Sequence, residues 1–331
     1  MAKSIARFDR RQFISGCLAT AAAGRLAAAA ETPASLDPNL VVVISDIHAA
    51  RPWSEQKYRT GREYPHVCGK ISQFVNEILA MRPLPANVVG LGDLSLAFAE
   101  EGDYALCRRL LKPLEDAGIT VTHALGNHDR VAEFLTAYPE YSGRVMFGDK
   151  VVSEVSTPHA DFILIDTHVE CAPEERGKYE TCRGFGCGKE QKDWLTSRLL
   201  TSKKPTFVCS HHQAVDVGLK NLVSRLPTVF GYLHGHHHHW MTNYVHDGYG
   251  KNAKIILQVG FPSFGIDNDV GYGVMRIGED RAELSCVVRD YYFPVPADVR
   301  EKEGASGRRP AAWDAFRKNW EGRSLTFAFD K

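Results

Sequence analysis

The stretch GDLSLAFAEEGDYALCRRLLKPLEDAGITVTHALGNHD, Gly92 to Asp129, decides how this chain folds. Leu106, Leu110, Leu111 and Leu114 recur at helical spacing, and Gly118 closes that helix. Ile119 to Ala124 then reads as a strand, and Asn87 to Leu91, just upstream, as another. Strand, crossover helix and strand make a βαβ unit, which requires a parallel sheet. Each strand ends in a polar cluster: Gly92-Asp93 after the first, Gly126-Asn127-His128-Asp129 after the second.

The same grammar extends outward. Upstream, the β-branched run Leu40 to Ile44 leads into Asp46-Ile47-His48. Ile71, Phe74, Val75, Ile78 and Leu79 form the apolar stripe of the next helix. Downstream, Val151 to Ser156 and Phe162 to Ile165 read as strands, Gln191 to Leu200 as a helix, and Thr206 to Ser210 and Val229 to Leu233 as strands. The closing part is strand-rich, with Ile255 to Val259, Gly271 to Ile277 and Ala282 to Arg289. Such an order predicts an α/β chain with two packed sheets and helices outside. From Pro294 the chain reads as an irregular tail with a short helix near Trp313 to Trp320.

Five strand ends thus carry Asp, His or Asn, because His211-His212 follows Thr206 to Ser210 and a histidine run follows Val229 to Leu233. That run, YLHGHHHHW from Tyr232 to Trp240, has histidine at 234, 236, 237, 238 and 239. Carboxyl ends of strands in open α/β sheets are where ligands gather. In Asp46-x-His48 and in His-x-His, alternate residues of an extended segment point the same way and can reach one cation. Asp93, after a glycine turn, can offer both carboxylate oxygens to two cations, and Asn127 adds an amide oxygen. Carboxylate, amide and imidazole suit Mn, Fe or Zn, without the thiolates that favour copper or iron–sulfur clusters. Two such cations about 3.5–4 Å apart clamp a phosphoryl group in displacement. The run alone does not say which of its imidazoles bind.

Composition agrees with local metal chemistry. Lys+Arg and Asp+Glu balance at 40 each, which gives no global field for a nucleic-acid polymer or an anionic membrane, while fourteen histidines stand out.

The order DIH, GD, GNHD, HH and GHxH, each after a strand, resembles the calcineurin-like metallophosphoesterases from Val41 to Tyr292. That resemblance implies a four-layer αββα sandwich around a binuclear centre. It implies Asp46, His48, Asp93 and His238 as ligands of one metal, and Asp93, Asn127, His211 and His236 as ligands of the other. The family's Gly-His-x-His selects His236 and His238, because only Gly235 precedes a histidine. His211 is preferred over His212, and Gln213 stands where the family usually has proline. His128 is implied as the proton donor to the leaving group, oriented by Asp129, with hydroxide bridging the metals as nucleophile.

Leu94-Ser95-Leu96-Ala97 replaces the Val-Asp-Arg-Gly of serine/threonine protein phosphatases, and Leu96 the tyrosine ligand of purple acid phosphatases. The stretch from Gly92 to Asp129, with FILIDTH (Phe162 to His168) and EQKDWL (Glu190 to Leu195), is most similar to the cyclic-nucleotide phosphodiesterase-like group. A small phosphodiester is therefore the expected substrate. A phosphomonoesterase or pyrophosphatase on the same metals, and a non-catalytic metal-binding protein, are the rivals.

The first thirty residues differ from the rest. Lys3, Arg7, Arg10 and Arg11 precede an alanine-rich apolar run, and DRRQFIS (Asp9 to Ser15) resembles the twin-arginine export signal. Cleavage after Ala30 would leave a periplasmic or otherwise exported protein with no stable membrane anchor, delivered by the twin-arginine machinery. The chain then divides into a signal at 1–30, a metallophosphoesterase domain at 31–293 and a tail at 294–331 packed on or near it. An oxidising destination permits a disulfide among Cys171, Cys182 and Cys187.

Overall fold

The structure is a computed structural model that describes residues 34–51, 67–96, 101–169, 184–246, 254–265, 268–292 and 319–329. The signal-like segment, the Trp313 end of the expected tail helix, Cys171 and Cys182 lie outside these residues.

Sixteen strands and five α-helices are described. The first half holds β1 (Leu36–Ile44), α1 (Val67–Leu79), β2 (Leu84–Leu91), α2 (Glu101–Asp116), β3 (Thr120–Ala124), α3 (Val131–Ala137), β4 (Val145–Met146), β5 (Lys150–Val151), β6 (Ser153–Ser156) and β7 (Asp161–Leu164). The second holds β8 (His168–Val169), β9 (Gly184–Phe185), α4 (Lys189–Thr201), β10 (Thr206–Ser210), α5 (Lys220–Arg225), β11 (Val229–His234), β12 (Met241–Val245), β13 (Ile256–Gly260), β14 (Asn268–Ile277), β15 (Arg281–Tyr292) and β16 (Ser324–Ala328).

Two six-stranded sheets carry the fold, in the orders β16-β15-β14-β1-β2-β3 and β12-β13-β11-β10-β7-β6. In the first sheet β1, β2 and β3 run parallel out to the β3 edge, while β14, β15 and β16 join antiparallel on the other side. In the second, β7, β10, β11 and β13 form a parallel centre between the antiparallel edges β6 and β12. Alternation along β1 explains the layering. Val41 and Val43 point into the core between the sheets, with Val89, Phe162, Phe207 and Leu233. Val42 and Ile44 point outward under α1 and α2, against Ile71, Phe74, Ile78 and Leu111. On the far side Ile163, Val208 and Tyr232 meet Leu195, Leu199 and Val223 of α4 and α5. A strand buried on both faces has no polar side, which is why Leu40 to Ile44 reads as an unbroken apolar run. The layers are helix, sheet, sheet, helix, as the sequence implies.

Within the tail, of which residues 319–329 are described, one segment differs from the irregular chain expected. Ser324–Ala328 is a strand, paired antiparallel to β15 from Arg281↔Ala328 to Ser285↔Ser324. Leu325, Phe327 and Phe329 alternate into the core between the sheets, where the Phe327 ring meets Phe207 edge-on at 5.1 Å. A five-residue strand at the chain's end carries too short a pattern to stand out from a polar tail, and only the β15 edge gives it a partner. Phe327→Ala should destabilise the protein by about 3–5 kcal/mol. A chain of this size should then melt roughly 10 °C lower, read in a thermal melt.

Cys187 is a buried free thiol, as are Cys107, Cys209 and Cys286. No helix among the described residues is long and apolar enough to cross a membrane.

Candidate metal centre

The loops leaving β1, β2, β3, β10 and β11 meet at one end of the sandwich. Asp46 N–H donates to Gly92 O (3.0 Å) and His48 N–H to Asp93 O (2.9 Å), which joins the first two loops. Gly235 N–H donates to His211 O (3.1 Å), and His236 N–H to both Asp46 carboxylate oxygens (3.2 and 3.1 Å), which ties the second sheet to the first. The approach is close enough to require glycine. A Cβ on Gly126 would overlap Asp93, and one on Gly235 would overlap Ser45 Oγ and lie 2.6 Å from Asp46 Oδ2.

The ligands do not sit on extended backbone as the sequence pattern suggests. Asp46, His48, Asp93, His236 and His238 all have positive φ, at 50°, 49°, 53°, 72° and 54°. A left-handed non-glycine residue costs on the order of 1–3 kcal/mol and persists where its surroundings hold it. Here the alternate residues turn toward one point because left-handed steps curl each loop, not because a strand continues.

Hydrogen bonds assign the imidazole tautomers. His48 Nδ1 faces the carbonyls of Ser95 (3.1 Å) and Leu96 (3.2 Å), and His211 Nδ1 faces Leu91 O (2.9 Å). Each Nδ1 therefore carries the proton, and each Nε2 presents a lone pair. His48 Nε2 lies 3.1 Å from His238 Nε2, 3.7 Å from Asp93 Oδ2 and 3.9 Å from Asp46 Oδ1. His238 Nε2 lies 3.1 Å from Asp46 Oδ1. On the other side His211 Nε2 lies 3.1 Å from both Asp93 Oδ2 and Asn127 Oδ1, and His236 Nδ1 is 2.8 Å from the same amide oxygen. Buried acceptors packed against one another repel unless cations lie between them. The donor set fits two cations, one among Asp46, His48, Asp93 and His238, the other among Asp93, Asn127, His211 and His236.

Without them the charge falls on protons. Burial alone would lower the His211 pKa, but the charge and hydrogen bond of Asp93 outweigh it and push it up to about 9. Burial likewise opposes ionisation of Asp46, yet His238 and His211 hold its carboxyl well below the usual carboxylate range.

All nine residues expected at the site are within this cluster of loops, with two corrections of role. Asp93 does not present both oxygens alike. Oδ1 accepts the His128 N–H (2.8 Å), so Oδ2 is the atom facing both groups. Asp129 does not orient His128. Its carboxylate accepts the N–H groups of Leu94 (3.0 Å), Ser95 (3.4 Å) and Gly126 (2.9 Å) and the Tyr104 hydroxyl (3.1 Å). It clamps the second loop to the third; burial, then the charge of Asp93, raises its pKa to about 7. The adjacent position misleads because neighbouring side chains in a turn need not share a direction. His128 itself lies with Nε2 4.0 Å from Asp93 Oδ2, its ring edge-on to His48 at 4.9 Å, and its buried Nδ1 unpartnered.

Outside the ligand set, His237 faces Gln213, whose Nε2 donates to His237 Nε2 (2.8 Å) while its Oε1 accepts from Gln258 (3.0 Å). The glutamine that departs from the family's proline thus braces the histidine run. His212 groups by distance with His211 and His236, but its Nδ1 is engaged with Thr167 Oγ1 (2.9 Å). Phe185, which the sequence reading passed over, stacks on that His212 ring at 4.8 Å. Its one signal is an aromatic between two glycines, Gly184-Phe185-Gly186.

The family model of the calcineurin-like phosphoesterases matches residues 40–240, which spans all five loops. The chain belongs to that family. This calcineurin-like phosphoesterase is similar in fold to a dimetal phosphatase from Danio rerio, at 15% identity and a TM-score of 0.56, covering 90% of this chain and 100% of that one. It is also similar to the purple acid phosphatase PPD1 from yellow lupin seeds, at 14% identity and a TM-score of 0.52, covering 77% of this chain and 52% of that one. No curated protein matches it in sequence.

Proposed function

We propose that this chain is an exported phosphodiesterase that depends on two metal ions. The observation that carries the hydrolase reading is the convergence of lone pairs from Asp46, His48, Asp93 and His238 on one side of Asp93 Oδ2 and from Asn127, His211 and His236 on the other. Cations held there would neutralise phosphoryl oxygens and lower the pKa of water toward neutrality. The protein's part is to hold that arrangement: carbonyls fix the His48 and His211 tautomers, and Asp129 locks two loops. His128, beside Asp93 with some solvent access, is the group that donates a proton to the departing alkoxide.

The diester preference rests on the resemblance of Gly92 to Asp129 to the phosphodiesterase-like group. A rate comparison on the Mn²⁺-loaded protein tests it. Bis-p-nitrophenyl phosphate should turn over faster than p-nitrophenyl phosphate, and the reverse order would transfer the reading to a phosphomonoesterase. In the same assay His128→Ala should slow an alkyl leaving group by about 10²–10⁴, and p-nitrophenolate far less. Equal losses on both would remove the acid role.

Export rests on the order of residues 1–30. Protein recovered from the periplasm should begin at Glu31, and Arg10→Lys with Arg11→Lys should leave the precursor in the cytoplasm. Secretion undiminished in that double variant would exclude the twin-arginine route.

A further inference from the structure

Beside the metal centre stands a wall of rings that the hydrolytic machinery does not use. The β8–β9 hairpin pairs His168 with Phe185, so both side chains lie on one face of the ribbon, and Gly186 N–H to Thr167 O (2.9 Å) closes its end. The Phe185 ring stacks on His212 at 4.8 Å and 24°, and His212 in turn lies 4.7 Å from the ring of the ligand His236. Thr167 Oγ1 at 2.9 Å from Nδ1 fixes the His212 plane. A row of rings therefore runs from the metal centre out to solvent.

Two features of this row point to a ligand. Phe185 remains 44% exposed although its ring stacks on His212, so the side chain next to the metal centre keeps aromatic surface open to solvent. His168 and His212 are each buried, and each leaves Nε2 without a partner. A buried imidazole nitrogen without a partner is costly unless something polar meets it. An exposed aromatic beside a phosphoryl site is a stacking surface for another ring.

We propose that Phe185, backed by His212, is a stacking platform for a planar heteroaromatic ring on the substrate, and hence that the substrates are nucleoside phosphoesters rather than lipid-headgroup esters. The phosphoryl group lies between the metals, the base on the open face of Phe185, and the sugar spans the interval. This rests on the phosphoester-hydrolase reading of the site but not on its diester preference.

Calorimetric titration of the Mn²⁺-loaded protein with adenosine 5′-monophosphate and with ribose 5-phosphate tests it, because the two differ by the base alone. The nucleotide should bind at least about tenfold tighter, the contribution expected of one stacked base. Phe185→Ala should collapse that ratio toward one, and Phe185→Trp should keep or enlarge it. Val169→Ala, also exposed on the hairpin but one position along, should leave the ratio as it is. A wild-type ratio near one, or a ratio that Phe185→Ala does not change, overturns the platform, whether or not diesters are hydrolysed. A Phe185-dependent ratio in a protein that prefers p-nitrophenyl phosphate would keep the platform and discard the diester preference.

Discussion

Asp93→Ala is expected to strip both cations and to lower turnover at least about a thousandfold, equivalent to some 4 kcal/mol of transition-state stabilisation. Oδ2 of Asp93 faces both ligand groups, 3.7 Å from His48 Nε2 and 3.1 Å from His211 Nε2. Its loss leaves the second group with neutral ligands only, Asn127, His211 and His236, and halves the charge of the first. Metal content by mass spectrometry, read beside the rate, checks this. Two metals retained per chain would refute the bridging role. Because Oδ1 also holds the His128 N–H at 2.8 Å, alanine loosens the third loop as well. Asp93→Asn separates the two effects, since an amide oxygen can keep that hydrogen bond while the bridging charge is gone.

Chelation should lower the melting temperature by roughly 10 °C. A ligand at a thousand times its dissociation constant stabilises the folded state by about 4 kcal/mol, and each kcal/mol moves a chain of this size by about 2–4 °C. The stripped protein should also acquire a pH dependence that the loaded one lacks. His211 in the metal-free fold has its pKa pushed up to about 9, above the unfolded value of about 6.5. A raised folded pKa contributes stability that is fully present below about pH 6.5 and lost as pH rises through about 9. The metal-free protein should therefore melt progressively lower across that window. Metal and proton compete for the same Nε2, so the loaded protein should instead lose its extra stability on acidification. A metal-free melting temperature flat from pH 6.5 to 9 would contradict the assignment of His211 to this buried acceptor cluster.

The sequence by itself determined the residue types and the strand ends that deliver them. Asp46, His48, Asp93, Asn127, His211, His236 and His238 could be read because each follows a short apolar strand, and strand and turn are local properties of the chain. Two packed sheets with helices outside were legible from the order of strands and helices, and the four-layer order from the resemblance of the five loop motifs. What only the tertiary structure decided depends on groups distant in sequence. The left-handed φ of five ligands exists because loops from two sheets press together at Gly126 and Gly235. Asp129 is a loop clamp, not a partner of His128, because Tyr104 and the Leu94, Ser95 and Gly126 amides surround it in space. β16 exists because β15 offers an edge and the core between the sheets a place for Phe327. Phe185 reaches the site through a hairpin whose two short strands have no pattern to read. Chemistry carried by residue type is written locally; direction, strain and pairing are set by whatever the rest of the fold brings alongside.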